Sequence, residues 1–182
     1  GEADEIVAPF FRSLLEGTDE ELPDSVLSPD RRGVLPGRSK VEEMDRVPLP
    51  RYDDYFQQLE RLEVGSRIEP GLLVESSRGC WWGATKHCTF CGLNGTGMNF
   101  RSKSAENALS DFTELERRYG GRRFEVVDNI LDMRYFRTVL PQLEERDYSI
   151  FYETKANLKR EHVATLARAG VRWFQPGIES MH

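Results

Sequence analysis

The sequence predicts an α/β fold of successive strand-helix units, and three observations carry that reading. Four segments, "GLLVES" (71–76), "RFEVVDN" (123–129), "SIFYETK" (149–155) and "VRWFQPGIES" (171–180), are apolar, rich in β-forming residues and polar at their carboxyl ends, as suits buried parallel strands. Segments of helical length separate them. The repeat is even, with Asn129, Lys155 and Ser180 closing the last three at intervals of 26 and 25 residues. Right-handed βα units joined in this way make four strands of an unfinished parallel barrel or of an open sheet.

Along the chain, residues 2–16 space Ile6, Val7, Phe10, Phe11, Leu14 and Leu15 by threes and fours, which predicts an amphipathic helix in need of a partner face, with Gly17 placed to end it. Residues 18–50 turn to charge and to Pro23, Pro29, Pro36, Pro48 and Pro50, the composition of a linker holding at most short strands. Residues 52–62 predict one short helix. The segment 104–119 opens on Ser104 as a candidate N-cap and closes on Gly120 and Gly121. Residues 132–146 keep helical spacing through Met133, Phe136, Val139, Leu140 and Leu143, with Pro141 expected to kink the helix or mark a new start. The last helix, 158–169, is expected to follow Asn157 as its cap and to stop at Gly170.

With 182 residues, of which 38% are hydrophobic, the chain is long enough for one core but short for two. A net charge of -6 and no basic stripe argue against a free-standing nucleic-acid binder. No apolar run nears the roughly 20 residues of a membrane span, and the amino end lacks the regions of a signal peptide. The expectation is a soluble, cytoplasmic protein with no membrane partner. The start on Gly1 and the stop at "GIESMH" suggest a piece of a longer chain.

Ligands of parallel α/β folds bind at the carboxyl ends of the strands. There the sequence places Glu75 to Cys80, Asp128 with Asn129, Glu153 with Lys155 and Asn157, and Gln175 with Glu179 and Ser180. Each taken singly reads equally well as a helix cap or a surface turn. Four successive polar strand ends count against that reading for the set.

The stretch "CWWGATKHCTFCGLNG" (80–95) holds all three cysteines. Clustered and odd in number, they point to reduced thiols with a metal or redox role rather than to a disulfide framework. Cys88 and Cys91 flank two residues, and seven separate Cys80 from Cys88, across a loop made pliable by Gly79 and Gly83. A structural zinc site wants four donors, and His87, beside Cys88, is badly placed to be the fourth. Electron-transfer clusters also want four thiolates. Three thiolates on a four-iron cluster leave one iron open to bind and activate a ligand. Trp81, Trp82 and Phe90 could shield such a cluster or simply pack, and Gly92, Gly95 and Gly97 let the backbone pass close to it. These glycines match neither the dinucleotide fingerprint nor a P-loop.

A cysteine loop after the first strand of a parallel βα barrel resembles the radical S-adenosylmethionine superfamily, although seven and then two residues replace the usual spacing of three and then two. More narrowly, "CWWGATKHCTFCGLNGTGMNFRSKS", "VVDNILDMRYF", "ETKANL" and "QPGIES" resemble its cobalamin-binding branch, the radical enzymes that mature ribosomally made peptides. The opening "GEADEIVAPFFRSLLEG" resembles the last helix of the cobalamin-binding domain that precedes such a barrel. The resemblance implies a division into residues 1–17, the end of that domain, 18–66, a linker, and 67–182, the first four strand-helix units of a partial TIM-like barrel.

It further implies that Cys80, Cys88 and Cys91 hold a [4Fe-4S] cluster whose open iron takes the amino and carboxylate groups of S-adenosylmethionine. Phe90 would lie along the adenine, and Asp128 and Asn129 would hold the methionine ammonium. Lys155 would pair with the methionine carboxylate, while Glu179 and Ser180 would touch the ribose. Glu153 is left between a substrate contact and a structural one. The activity implied is reductive cleavage of S-adenosylmethionine to a 5′-deoxyadenosyl radical, supplied with electrons by a flavodoxin- or ferredoxin-type reductant. Methylcobalamin would then serve C-methylation of a peptide substrate. The alternatives are another cobalamin-type radical enzyme, performing methylthiolation or cyclisation on tRNA or a small molecule, and a noncatalytic metal-binding module.

Overall fold

The computed structural model describes residues 2–18, 25–27, 37–63, 65–92 and 97–179. Its contacts divide the chain into two compact units, Gly1–Glu43 and Met44–His182. The first carries helix α1, Val7–Glu16, which ends as its sequence predicts: Gly17 takes a left-handed conformation (φ 62°) and its N–H returns to the Ser13 carbonyl. Val7, Phe11, Leu14 and Leu15 of this helix are exposed.

The second unit is an α/β assembly. Its elements, in order, are helix α2 (Asp53–Arg61), strands β1 (Leu72–Val74), β2 (Ser77–Arg78) and β3 (Arg101–Ser102), helix α3 (Ala105–Tyr119), strand β4 (Arg123–Val126), helices α4 (Tyr135–Thr138) and α5 (Leu140–Leu143), strand β5 (Ser149–Lys155), helix α6 (Arg160–Arg168) and strand β6 (Val171–Gly177). Strands β1, β4, β5 and β6 form one sheet in that order, every pair parallel. These are the four predicted strands, and helical segments lie between successive ones. A two-residue antiparallel pair, β2 with β3, had no counterpart in the sequence reading.

Local signals explain most element ends. Ser104 caps α3 by accepting a hydrogen bond from the Asn107 N–H at 3.2 Å, and Gly120 closes the helix at φ 67°. Pro141 lies in the first turn of α5, where a missing N–H costs nothing, so the predicted long helix is two short ones. Helix α6 starts later than expected: the cap is Lys159, whose N–H is accepted by His162 Nδ1 at 3.2 Å, and Asn157 stands outside it. Residues 44–50, read from composition as linker, and the predicted short helix over 52–62 both belong to the sheet unit. Tyr119 accepts a hydrogen bond from the Tyr52 N–H at 2.7 Å and stacks on Phe56 at 5.0 Å between centroids.

The strands are buried on one face, not on both as their apolar composition suggested. Leu72, Val74, Phe124, Val126, Ile150, Tyr152 and Val171 enter a core completed by Phe112 and Leu115 of α3, Leu140 and Leu143 of α5 and Leu166 of α6. The alternate residues face the other way, and Leu73 and Trp173 are 47% and 54% exposed. In β1, β4 and β5 the period-two alternation of a strand explains the split; in β6 a register shift sets Val171 beside Ile150 but Trp173 beside Phe151, so residues two apart fall on different faces. Helices cover one side, while among the described residues nothing equivalent covers the other. Burying roughly 1.5–3 kcal/mol per large apolar side chain on the covered side is what holds the sheet together.

Candidate functional site

The cysteine loop leaves the sheet at the carboxyl end of β1 and is tied down along its length. Its root, Ser76 and Ser77, is held by Asp128 just beyond β4. Oδ1 of Asp128 accepts from the Ser76 and Ser77 N–H groups at 2.7 and 2.9 Å, and Oδ2 accepts from their two hydroxyls at 2.5 and 2.9 Å. Gly79 then turns at φ 82° so tightly that a Cβ there would run into the Asn99 carbonyl. The Cys80 N–H donates to the Met98 carbonyl at 3.3 Å. Further on, the Trp81 indole N–H donates to the Leu131 carbonyl at 3.0 Å, and the Lys155 ammonium sits 4.2 Å over the Trp82 ring. The loop is thereby joined to β4, β5 and the segment between them.

Held in this way, the loop forms one wall of a cavity of about 310 Å3 at the carboxyl ends of the strands. Cys80, Cys88 and Cys91 all line it, with Trp82, Phe90 and Gly92 of the same loop. The strand ends supply Asn129 and Ile130 after β4, Glu153, Thr154 and Lys155 of β5, and Gln175, Gly177 and Glu179 at the end of β6. Strand register explains the meeting: Glu153 pairs with Gln175 and Lys155 with Gly177. Both β5 residues fall on the face the helices leave open, opposite the buried Tyr152 and Thr154.

Of the residues singled out from sequence, the three cysteines, Phe90, Asn129, Lys155 and Glu179 are brought together here. Asp128 is not: its side chain is buried and engaged with Ser76 and Ser77. Ser180 and Gly95 lie outside the described residues. His87 is exposed, and Asn157 is not in the cavity wall. Glu75 is paired with Arg78 through two hydrogen bonds of 2.6 and 2.8 Å. Sequence reasoning missed the role of Ser76 and Ser77, whose only signal is two adjacent hydroxyls after a strand.

All three thiols are free and half-buried, and the Gly83 N–H donates to Cys80 Sγ at 3.3 Å. Among the described residues no three His, Cys, Asp or Glu side chains group closely enough to hold a metal ion. The three thiols nonetheless line one cavity.

The charges are unevenly distributed. Glu153 is half-buried, and loss of water contact raises its pKa above the ordinary 4.5. Burial likewise pushes Asp128 up from 3.8 to about 6, against the lowering effect of its four hydrogen bonds. Phe90 is 68% exposed and offers a flat apolar surface at the mouth. The cavity therefore combines three thiols, one cation, two carboxylates, two amides and two aromatic rings, which suits a zwitterionic ligand with an aromatic part.

Among the described residues no helix is long and apolar enough to cross a membrane. No family model, curated protein or solved structure matched the chain.

Proposed function

We propose that this protein acts as a radical S-adenosylmethionine enzyme of the cobalamin-binding branch, C-methylating a ribosomally made peptide. The observation that supports the first part is the cavity itself: Cys80, Cys88 and Cys91 share it with Phe90, Asn129, Lys155 and Glu179 at the carboxyl ends of three parallel strands. Cobalamin dependence and the peptide substrate rest on the resemblance of the four sequence segments and of the opening helix.

In this reading the three thiolates would hold a [4Fe-4S] cluster, and the Gly83 N–H, which donates to Cys80 Sγ, would steady that sulfur. When bound, the cluster would supply the electron, drawn from a flavodoxin- or ferredoxin-type reductant, for reductive cleavage of S-adenosylmethionine. The chain's own contribution is placement. The Lys155 ammonium meets the methionine carboxylate, and the Asn129 amide oxygen accepts from the methionine ammonium. Glu179 accepts from ribose hydroxyls. Phe90 covers the adenine, and Trp82 and Ile130 complete an apolar wall that keeps water from the reacting carbon.

The test is binding of S-adenosylmethionine to anaerobically reconstituted protein, followed by calorimetry. Charge-assisted hydrogen bonds of about 1.5–3 kcal/mol predict that Asn129→Ala and Lys155→Ala each weaken binding by about 10- to 100-fold with iron content unchanged. Wild-type affinity in both variants would overturn the assignment of these residues.

A further inference from the structure

We propose that Asp128 is the positioning residue of this site, fixing Cys80 and Asn129 relative to one another by locking the root of the cysteine loop to the end of β4. The ladder between β1 and β4 ends with the Val127 N–H donating to the Val74 carbonyl at 2.9 Å. Beyond it, β1 departs from the sheet and becomes β2, which pairs with β3. At that departure the N–H groups of Ser76 and Ser77 lose their sheet partners while remaining buried, and a buried unpaired N–H costs about 1–3 kcal/mol. One carboxylate replaces the ladder by taking both N–H groups on one oxygen and both hydroxyls on the other.

The lock is transmitted in both chain directions through few freely rotating bonds. Toward the loop, Ser77 is followed by the tight Gly79 turn and by Cys80, itself bonded to the Met98 carbonyl. Along β4, the next residue is Asn129, which lines the cavity. The lock is braced from behind: the Tyr135 hydroxyl donates to the Lys103 carbonyl at 2.8 Å, with the Ser76 carbonyl 3.2 Å away as the alternative acceptor, and the Tyr152 hydroxyl lies 3.4 Å from Ser76 Oγ. Asp128 thus sets the separation between a thiol and an amide without touching what they bind.

The cofactor side of this inference rests on the reading above, whereas the order of the loop does not. The experiment accordingly has two readouts, applied to wild type, Asp128→Ala, Asp128→Asn and Leu166→Ala. The last removes core packing under α6 and serves as a control of lost stability away from the loop. In apo protein, amide hydrogen exchange of residues 76–92 should quicken about tenfold in Asp128→Ala, equivalent to ~1.4 kcal/mol of local opening. It should stay at the wild-type rate in Leu166→Ala and return most of the way in Asp128→Asn, which keeps an acceptor for the two N–H groups. In reconstituted protein, Asp128→Ala should lose the change in the reduced cluster's paramagnetic resonance spectrum on adding S-adenosylmethionine, and Asp128→Asn should retain it. Equal loop exchange in Asp128→Ala and wild type, or equal acceleration in Leu166→Ala, overturns the positioning role. Failure of wild type to take up iron overturns the functional reading and leaves the exchange result to decide the positioning role.

Discussion

At Asp128 burial and hydrogen bonding act in opposite directions, and burial wins, so the folded chain keeps a proton there up to about pH 6 whereas the unfolded chain loses it near 3.8. Between these values the native state binds more protons than the unfolded one. This group's contribution to stability therefore falls as pH rises through that window, by about 3 kcal/mol in total, and is level on either side. Asp128→Asn removes the titration while keeping an acceptor. The difference in unfolding free energy between wild type and this variant, taken from urea curves at several pH values, should drift by about that amount from pH 3.8 to about 6. A pH-independent difference would contradict the account. The sequence marks Asp128 as a polar strand end but cannot show that its partners lie 52 and 51 positions upstream, because a single sequence carries no pairing information. That Cys80, Cys88 and Cys91 share one cavity wall was legible for the opposite reason: they lie close together in a single stretch of chain.

Among the elements, the helices with self-contained stop and start signals were the most legible. Ser104 and Gly120 bracket α3, and Gly17 ends α1, through interactions within one turn of chain. The exceptions depend on partners far away. Strands β2 and β3 are two residues each and exist because Ser77 meets Ser102 and Arg78 meets Arg101, with no periodicity to announce them. Gly79 was noted only as a source of pliancy, yet the structure uses it for the reverse, a rigid left-handed turn packed on the Asn99 carbonyl. Gly79→Ala combines a disfavoured φ with a backbone collision and should destabilise the protein by about 2–4 kcal/mol, read as a lower denaturant midpoint. It should also lower iron uptake, since Cys80 is the next residue. A midpoint within error of wild type would show that the turn is not as drawn.

At the scale of the molecule, a four-stranded parallel sheet with helices on one face places its carboxyl strand ends, and with them the candidate site, around one cavity. The parallel order was legible because apolar strands alternate with helices at even spacing. The one-sided burial was not, because Leu72, Leu73 and Val74 of β1 are all apolar and yet Leu73 is exposed. The asymmetry predicts that Phe124→Ala, on the covered face, costs about 3–5 kcal/mol, while Trp173→Ala, on the other face and stacked under Arg123 at 5.5 Å, costs about 1 kcal/mol. Equal losses in chemical denaturation would mean the second face is covered too. The central claim is that three thiols gathered around this cavity hold a cluster with one open iron. Its most direct test is paramagnetic resonance of the anaerobically reconstituted, reduced protein with and without S-adenosylmethionine. The account predicts a four-iron cluster signal that changes when S-adenosylmethionine is added and is absent in Cys91→Ala. Stoichiometric zinc with no iron uptake, or a cluster signal indifferent to S-adenosylmethionine, would contradict it.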